Sequence, residues 1–199
     1  MKPQTFIFFG RSGCGKGTQL KLLRDYLNKE DKNRNQFAFC TGDGFREFFN
    51  KGTYSSNLAK AITARGELQP LFLTISLWGN AFLDGLELDD HVFIDGYPRR
   101  DTEALVLDSA LKFYQRNNVT MIDFIVSRET SKKRMLLRGR ADDTEENAET
   151  RLNWYDRDVT PAIKYLKDQP GYTYIEIDGE KNIEDIHTDI INKLTSYLS

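Results

Sequence analysis

At 199 residues, 39% apolar, 12% aromatic and 29% charged, the chain has room for one α/β domain and too much apolar content to stay disordered. Lysine and arginine number 28 against 30 acidic residues, and a net charge of −2 excludes any global pull toward nucleic acid or an anionic membrane. Cys14 and Cys40 lack metal-ligand spacing and no apolar run approaches the ~20 residues of a membrane span, which predicts a cytoplasmic protein without zinc.

In chain order, residues 5–9 (Thr-Phe-Ile-Phe-Phe) read as a strand buried on both faces and ending at Gly10. Leu20, Leu23 and Leu27 then form a helical stripe that starts from Thr18. A second strand over 36–40 is followed by Thr41-Gly42-Asp43-Gly44, which reads as a turn. Residues 45–88 are mostly helical, broken near Gly52 and at 66–70. A third strand covers 91–95, a helix 102–117 and a fourth strand 121–127. Helix over 132–138, an acidic loop over 139–147 and one long helix over 148–166 lead to a fifth strand at 172–178 and a closing helix at 183–198. Such alternation predicts an α/β fold of three layers, α/β/α, around a five-stranded parallel sheet.

The segment Gly10-Arg11-Ser12-Gly13-Cys14-Gly15-Lys16-Gly17-Thr18 fits the phosphate-loop spacing G-x-x-x-x-G-K, with the hydroxyl one position late at Thr18. Glycines let the backbone wrap phosphate oxygens, the following helix offers its positive end, and Lys16 supplies a mobile cation. The placement after an apolar strand and before an amphipathic helix makes this a P-loop NTPase core. Arg46, Arg99, Arg138, Arg140 and Arg151 all fall beside turns at the ends of elements. Planar guanidinium forks in such places suit the clamping of a phosphoryl group in transfer.

Several motifs carry a resemblance to a known family. Gly13-Cys14-Gly15-Lys16-Gly17-Thr18-Gln19 resembles the GxGKGTQ loop of adenylate kinases, and Thr41-Gly42-Asp43-Gly44-Phe45-Arg46 its TGDxxR segment. Asp95-Gly96-Tyr97-Pro98-Arg99 resembles the DG[FY]PR motif, and Arg138-Gly139-Arg140-Ala141-Asp142-Asp143 with Arg151-Leu152 resembles a short lid without zinc cysteines. The resemblance implies one kinase domain over 1–199: a core of 1–40, 71–138 and 151–199, a monophosphate-binding insertion at about 41–70, and a lid at about 139–150. It implies reversible transfer of the γ-phosphoryl of ATP to AMP, giving two ADP, by a monomer that needs Mg²⁺ but no zinc, nucleic acid or membrane.

By position, the resemblance places Gly13, Cys14, Gly15, Lys16, Gly17, Thr18, Arg134, Arg138 and Lys181 at ATP, with Asp95 orienting Mg²⁺ through water. It places Thr41, Arg46, Glu67, Leu68, Gln69, Gly96, Tyr97, Pro98, Arg99, Glu103, Arg140 and Arg151 at AMP. Lys16, Arg99, Arg138, Arg140 and Arg151 are the implied catalytic set, with Asp142 and Asp143 bracing the lid arginines. Ser12 departs from the family's proline, Gln69 from its valine beside the monophosphate base, and Glu103 from its adenine-reading glutamine. An ionised carboxylate only accepts hydrogen bonds, so Glu103 suits the two donors of guanine better than the donor–acceptor edge of adenine. The reading therefore keeps two alternatives open: a kinase of the same fold for GMP or a pyrimidine monophosphate, and a nucleotide-switched binding protein.

Overall fold

The computed structural model describes residues 1–198, with side chains through residue 195. Strand β1 (Thr5–Gly10) is buried along its whole length. Phe6 and Phe8 enter one core layer with Leu23, Leu27 and Phe124, whereas Ile7 and Phe9 enter the other with Trp78, Phe82 and Leu107. A strand that is apolar on both faces must be covered on both, so the chain builds a parallel sheet with helices above and below. The strands β2 (Gln36–Cys40), β3 (His91–Asp95), β4 (Val119–Ile125) and β5 (Tyr172–Asp178) complete it in the order β2-β3-β1-β4-β5, all parallel.

The helices in chain order are α1 (Lys16–Glu30), α2 (Thr41–Phe49), α3 (Tyr54–Ala64), α4 (Leu71–Gly85), α5 (Asp101–Phe113), α6 (Arg128–Arg138), α7 (Glu145–Trp154), α8 (Thr160–Lys167) and α9 (Ile183–Leu198). Leu23 of α1 and Ile190 of α9 lie in one core layer; Trp78 of α4, Leu107 of α5 and Leu166 of α8 lie in the other. The helices that follow the adjacent strands β1 and β3 therefore leave toward opposite faces. That divergence opens a crevice at the carboxyl ends of the two strands, where open α/β sheets bind ligands. Gly10 and Asp95 end the strands at this crevice. Among the described residues no helix is long and apolar enough to cross a membrane.

Three expectations are corrected. Residues 41–44 form the first turn of α2, not a turn between elements. Gly44 is there for close packing: a Cβ would lie 3.2 Å from Leu77 and 3.5 Å from Phe39. The fourth strand starts and ends two residues earlier than predicted, because Val119 and Thr120 already pair with Thr5 and Phe6 while Ser127 caps α6 through Thr130 N–H. The predicted acidic loop stops at Thr144, whose hydroxyl caps α7, and the single long helix is instead α7, a π-helical turn Tyr155–Val159, and α8. Pro161 lacks an N–H and its ring would crowd the carbonyl four residues back, so the helix opens by one residue ahead of it.

His91 is fully buried, and its Nδ1 accepts the Gln4 N–H at 3.0 Å. Burial, then the Arg34 charge, push its pKa below the ordinary 6.5 and outweigh Asp31. The unfolded chain thus binds more protons between the two values, so stability is full above pH 6.5 and declines as pH falls through it. Burial shifts His187 the same way. Thermal melts should show a midpoint that drops on acidification below about pH 6.5, with a shallower slope in His91→Gln. An unchanged slope in that variant would contradict the assignment.

Candidate active site

The loop between β1 and α1 turns on glycines with positive φ, among them Gly13 at 85° and Gly15 at 101°. A Cβ at Gly13 would lie 2.5 Å from the Ser131 carbonyl oxygen, whereas nothing lies within 4 Å of the Cβ position at Gly15 or Gly17. Helix α1 starts without a side-chain cap, so its first N–H groups are left for a ligand. Lys16 Nζ donates to Gly10 O at 2.6 Å and Arg11 O at 3.1 Å, and lies 3.4 Å from the buried Cys14 Sγ. Thr18 stands exposed on the first turn.

Facing the loop is a cavity of about 590 Å³. Thr41, Phe45, Arg46 and Phe49 of α2 form one wall, and Lys60, Thr63 and Ala64 of α3 with Gly66, Glu67 and Gln69 form another. Arg99, Arg138, Arg140, Arg151 and Trp154 close it, so five arginines converge on one space. Three carboxylates hold Arg46, Arg138 and Arg151 in place. Asp143, its side chain fully buried, accepts from Arg138 Nε at 2.9 Å and Nη2 at 2.7 Å, from Arg151 Nη1 at 2.9 Å and from the Arg140 N–H at 3.1 Å. Burial pushes this carboxyl up, but the Arg138 bonds and charge, with Arg140 N–H and Arg151, hold it below the usual range. Asp142 pairs with Arg151, and Asp43 pairs with Arg46 one turn later on α2. The Arg140 guanidinium has no hydrogen bond among the described residues; burial, then the like charges of Arg138 and Arg46, lower its pKa.

Arg99 is set by its surroundings on every side. Its Nε donates to Gly96 O at 2.8 Å, and its guanidinium lies over the Trp154 ring at 5.3 Å. Trp154 in turn donates from Nε1 to Gly66 O at 3.0 Å. Glu103, 1% exposed, accepts the Arg99 backbone N–H at 2.7 Å on one oxygen and Arg100 Nη1 at 3.3 Å on the other. Burial raises its pKa against the pull of Arg99 and Arg100. This carboxylate is committed to the Arg99–Arg100 corner and is not part of the cavity wall.

Other residues singled out in the sequence divide into two groups. Lys16, Gly96, Pro98 and Arg99 line a small recess between the ends of β1 and β3. Asp95 borders that crevice with Oδ1 buried and unpartnered, while its Oδ2 takes the Cys40 thiol at 3.6 Å. Burial, then Asp95, push this thiol up to about 11. Thr41 Oγ1 is likewise buried without a partner. Outside the cavity, Arg134 Nη1 donates to Gly179 O at 2.7 Å and Lys181 pairs with Asp189 at 2.7 Å. Tyr97 is buried against Trp78, and Leu68 packs on the same core layer. Glu67 lines the cavity but pairs with Arg65, and Gln69 donates to Ala59 O at 2.7 Å and Thr63 Oγ1 at 2.8 Å.

Sequence reasoning missed two residues at this site. Trp154 lies under Arg99, and Asn147 Nδ2 ties Ala64 O at 3.0 Å to Asp142 O at 3.1 Å. Neither sits in a motif, and an aromatic on a helix otherwise reads as core.

A phosphate-cradling loop at the end of a buried parallel strand, opposite an arginine-lined cavity, defines a P-loop phosphotransferase. A family model described as "Adenylate kinase" matches residues 8–170. An adenylate kinase of Corynebacterium urealyticum is 33% identical over 180 residues, covering 90% of this chain and 93% of that protein. Adenylate kinase 1 of a Synechocystis species is 33% identical over 184 residues, covering 92% and 93%. An adenylate kinase of Petrotoga mobilis is 30% identical over 222 aligned positions, covering 96% and 97%. The chain belongs to the adenylate kinase family.

Asp143 is the single group that Arg138, Arg140 and Arg151 share. Asp143→Asn should cost on the order of 1 kcal/mol, since it removes the charge paired with Arg138 and Arg151, whose side chains are 31% and 11% exposed. It should also speed hydrogen exchange in residues 139–145. Protection and melting temperature equal to wild type would show that the carboxylate does not organise this loop.

Proposed function

We propose that the protein catalyses reversible transfer of the γ-phosphoryl group of ATP to AMP, with both products ADP. The convergence of five arginines on one cavity beside the phosphate loop carries this reading. ATP phosphates lie in the loop of residues 13–18, with Lys16 leaving its loop carbonyls for the transferred group. The AMP phosphate takes Arg46 and Arg99, its base lies between α2 and α3, and Thr41 and the 66–69 segment border it. Arg138, Arg140 and Arg151 close over the phosphates from within and either side of residues 139–150, which serve as the lid, while 41–70 serve as the monophosphate-binding insertion. Arg134 and Lys181 lie on the ATP side.

An AMP phosphate oxygen, already ionised at neutral pH, attacks the γ-phosphorus in line as the bond to the β–γ bridging oxygen breaks. No general base is needed. Charge spreads over the equatorial oxygens, and preorganised guanidinium groups stabilise it without reorganising. Closure of the lid and insertion excludes the water that would hydrolyse ATP. The orphaned Asp95 Oδ1 at the crevice fits a Mg²⁺ ion held through water, which supplies charge neutralisation on the ATP phosphates. Zinc has no part in this reading, which places a monomer in the cytoplasm without nucleic-acid or membrane partners.

Glu103, whose two oxygens accept from the Arg99 N–H and Arg100 Nη1, gives no support to guanine as the acceptor base, and AMP stands as the acceptor in this reading. A coupled ADP assay with Mg-ATP and AMP, GMP, UMP or CMP should show AMP preferred. Lys16→Ala and Arg99→Ala should each cut kcat/KM by about 100-fold or more with the fold retained, and Glu103→Gln should leave the order of acceptors unchanged. Near-normal rates in the first two variants, or GMP as the best acceptor, would overturn the proposal.

A further inference from the structure

The phosphate loop contains a residue that no phosphate-binding role uses. Arg11 lies between the loop glycines Gly10 and Gly13, and its backbone oxygen accepts from Lys16 Nζ and from Cys14 N, both at 3.1 Å. Its side chain leaves the loop entirely. Nη1 donates to Val126 O at 2.7 Å, while Nε and Nη2 both reach Asp156 Oδ1, at 3.2 and 2.7 Å. The guanidinium also lies 5.5 Å from the centre of the Tyr155 ring. Asp156 is itself oriented, because Arg128 Nη1 holds its other oxygen at 2.6 Å and Arg128 Nη2 is fixed to Asn153 Oδ1 at 2.8 Å.

Asp156 and Tyr155 begin the π-helical turn that continues α7, the helix that carries Arg151 and Trp154 into the cavity. A π turn adds one residue to a helix and re-aims the side chains beyond it, a feature often found at functional sites. Here one continuous helical segment places Arg151 over the cavity and Asp156 on the loop.

We propose that Asp156 is a positioning residue: through Arg11 it holds the phosphate loop, and with it the carbonyl that seats Lys16, in register with Arg151. The inference rests on the phosphotransferase reading above. The Arg11 and Asp156 side chains are 25% and 38% exposed, and an ion pair so exposed adds little to global stability. Its effect therefore belongs in ATP binding, where a loop free to rotate at Gly10 and Gly13 must be ordered afresh.

The test is calorimetric titration of the full chain with Mg-ATP and, separately, with AMP, alongside thermal melts. Arg11→Gln and Asp156→Asn should each weaken ATP binding about tenfold and leave AMP affinity within about twofold. Their melting temperatures should move by less than about 4 °C. The double variant should bind ATP no more weakly than either single variant, and Asp156→Glu should restore most of the affinity. ATP affinity unchanged in both single variants would reduce the contact to a surface ion pair and overturn the inference alone. Equal losses for ATP, AMP and melting temperature would overturn it in favour of a general structural role, as would an additive double variant. Wild-type protein that fails to bind ATP would overturn the phosphotransferase reading, and this inference with it.

Discussion

Like charges brought together in a half-enclosed space repel, and the repulsion among Arg46, Arg99, Arg138, Arg140 and Arg151 is the constraint on which the rest of the site depends. Asp43, Asp142 and Asp143 offset part of it. Those carboxylates take donors of Arg46, Arg138 and Arg151, while among the described residues nothing bonds the Arg140 guanidinium, whose pKa is lowered by burial and like charge. Such an arrangement is suited to a ligand with several negative charges. A chain with a net charge of only −2 has thus concentrated five arginines on one cavity, where the proposed function brings two sets of phosphates together.

The fold supplies the precision this requires. With β1 buried on both faces, the crevice beside Gly10 and Asp95 is built on a strand enclosed by both core layers. The arginines are then carried by separate elements: α2, the turn after β3, the end of α6, the loop after it, and α7. Cross-links such as Asn147 to Ala64 O and Trp154 to Gly66 O join α7 to the end of α3 and the segment after it.

Much of this was legible in the sequence, and what was not has identifiable causes. The alternating strands and the phosphate loop are local patterns: a run such as Phe6-Ile7-Phe8-Phe9 has one plausible burial, and Gly13 has one tolerable residue type. Residues 41–44 misled because glycine signals turns, whereas Gly44 lets α2 approach Leu77. The π turn was hidden because periodicity cannot register one extra residue in an otherwise continuous helix. Glu103 shows a different limit: spacing from a motif locates a residue but not the partners its side chain takes, here the Arg99 N–H and Arg100. Trp154 and Asp156 act through contacts far apart in sequence, which one chain without its fold does not reveal.

The central claim is that the cavity and the loop together are incomplete without a bridging polyanion. The most direct test is the thermal midpoint of the wild-type chain with ATP alone, AMP alone, or an analogue joining two adenosines through a chain of phosphates, at low and high salt. The account predicts that the joined analogue raises the midpoint well beyond either nucleotide, and that the gain shrinks as salt rises. A joined analogue no better than ATP alone, or a gain indifferent to salt, would contradict it.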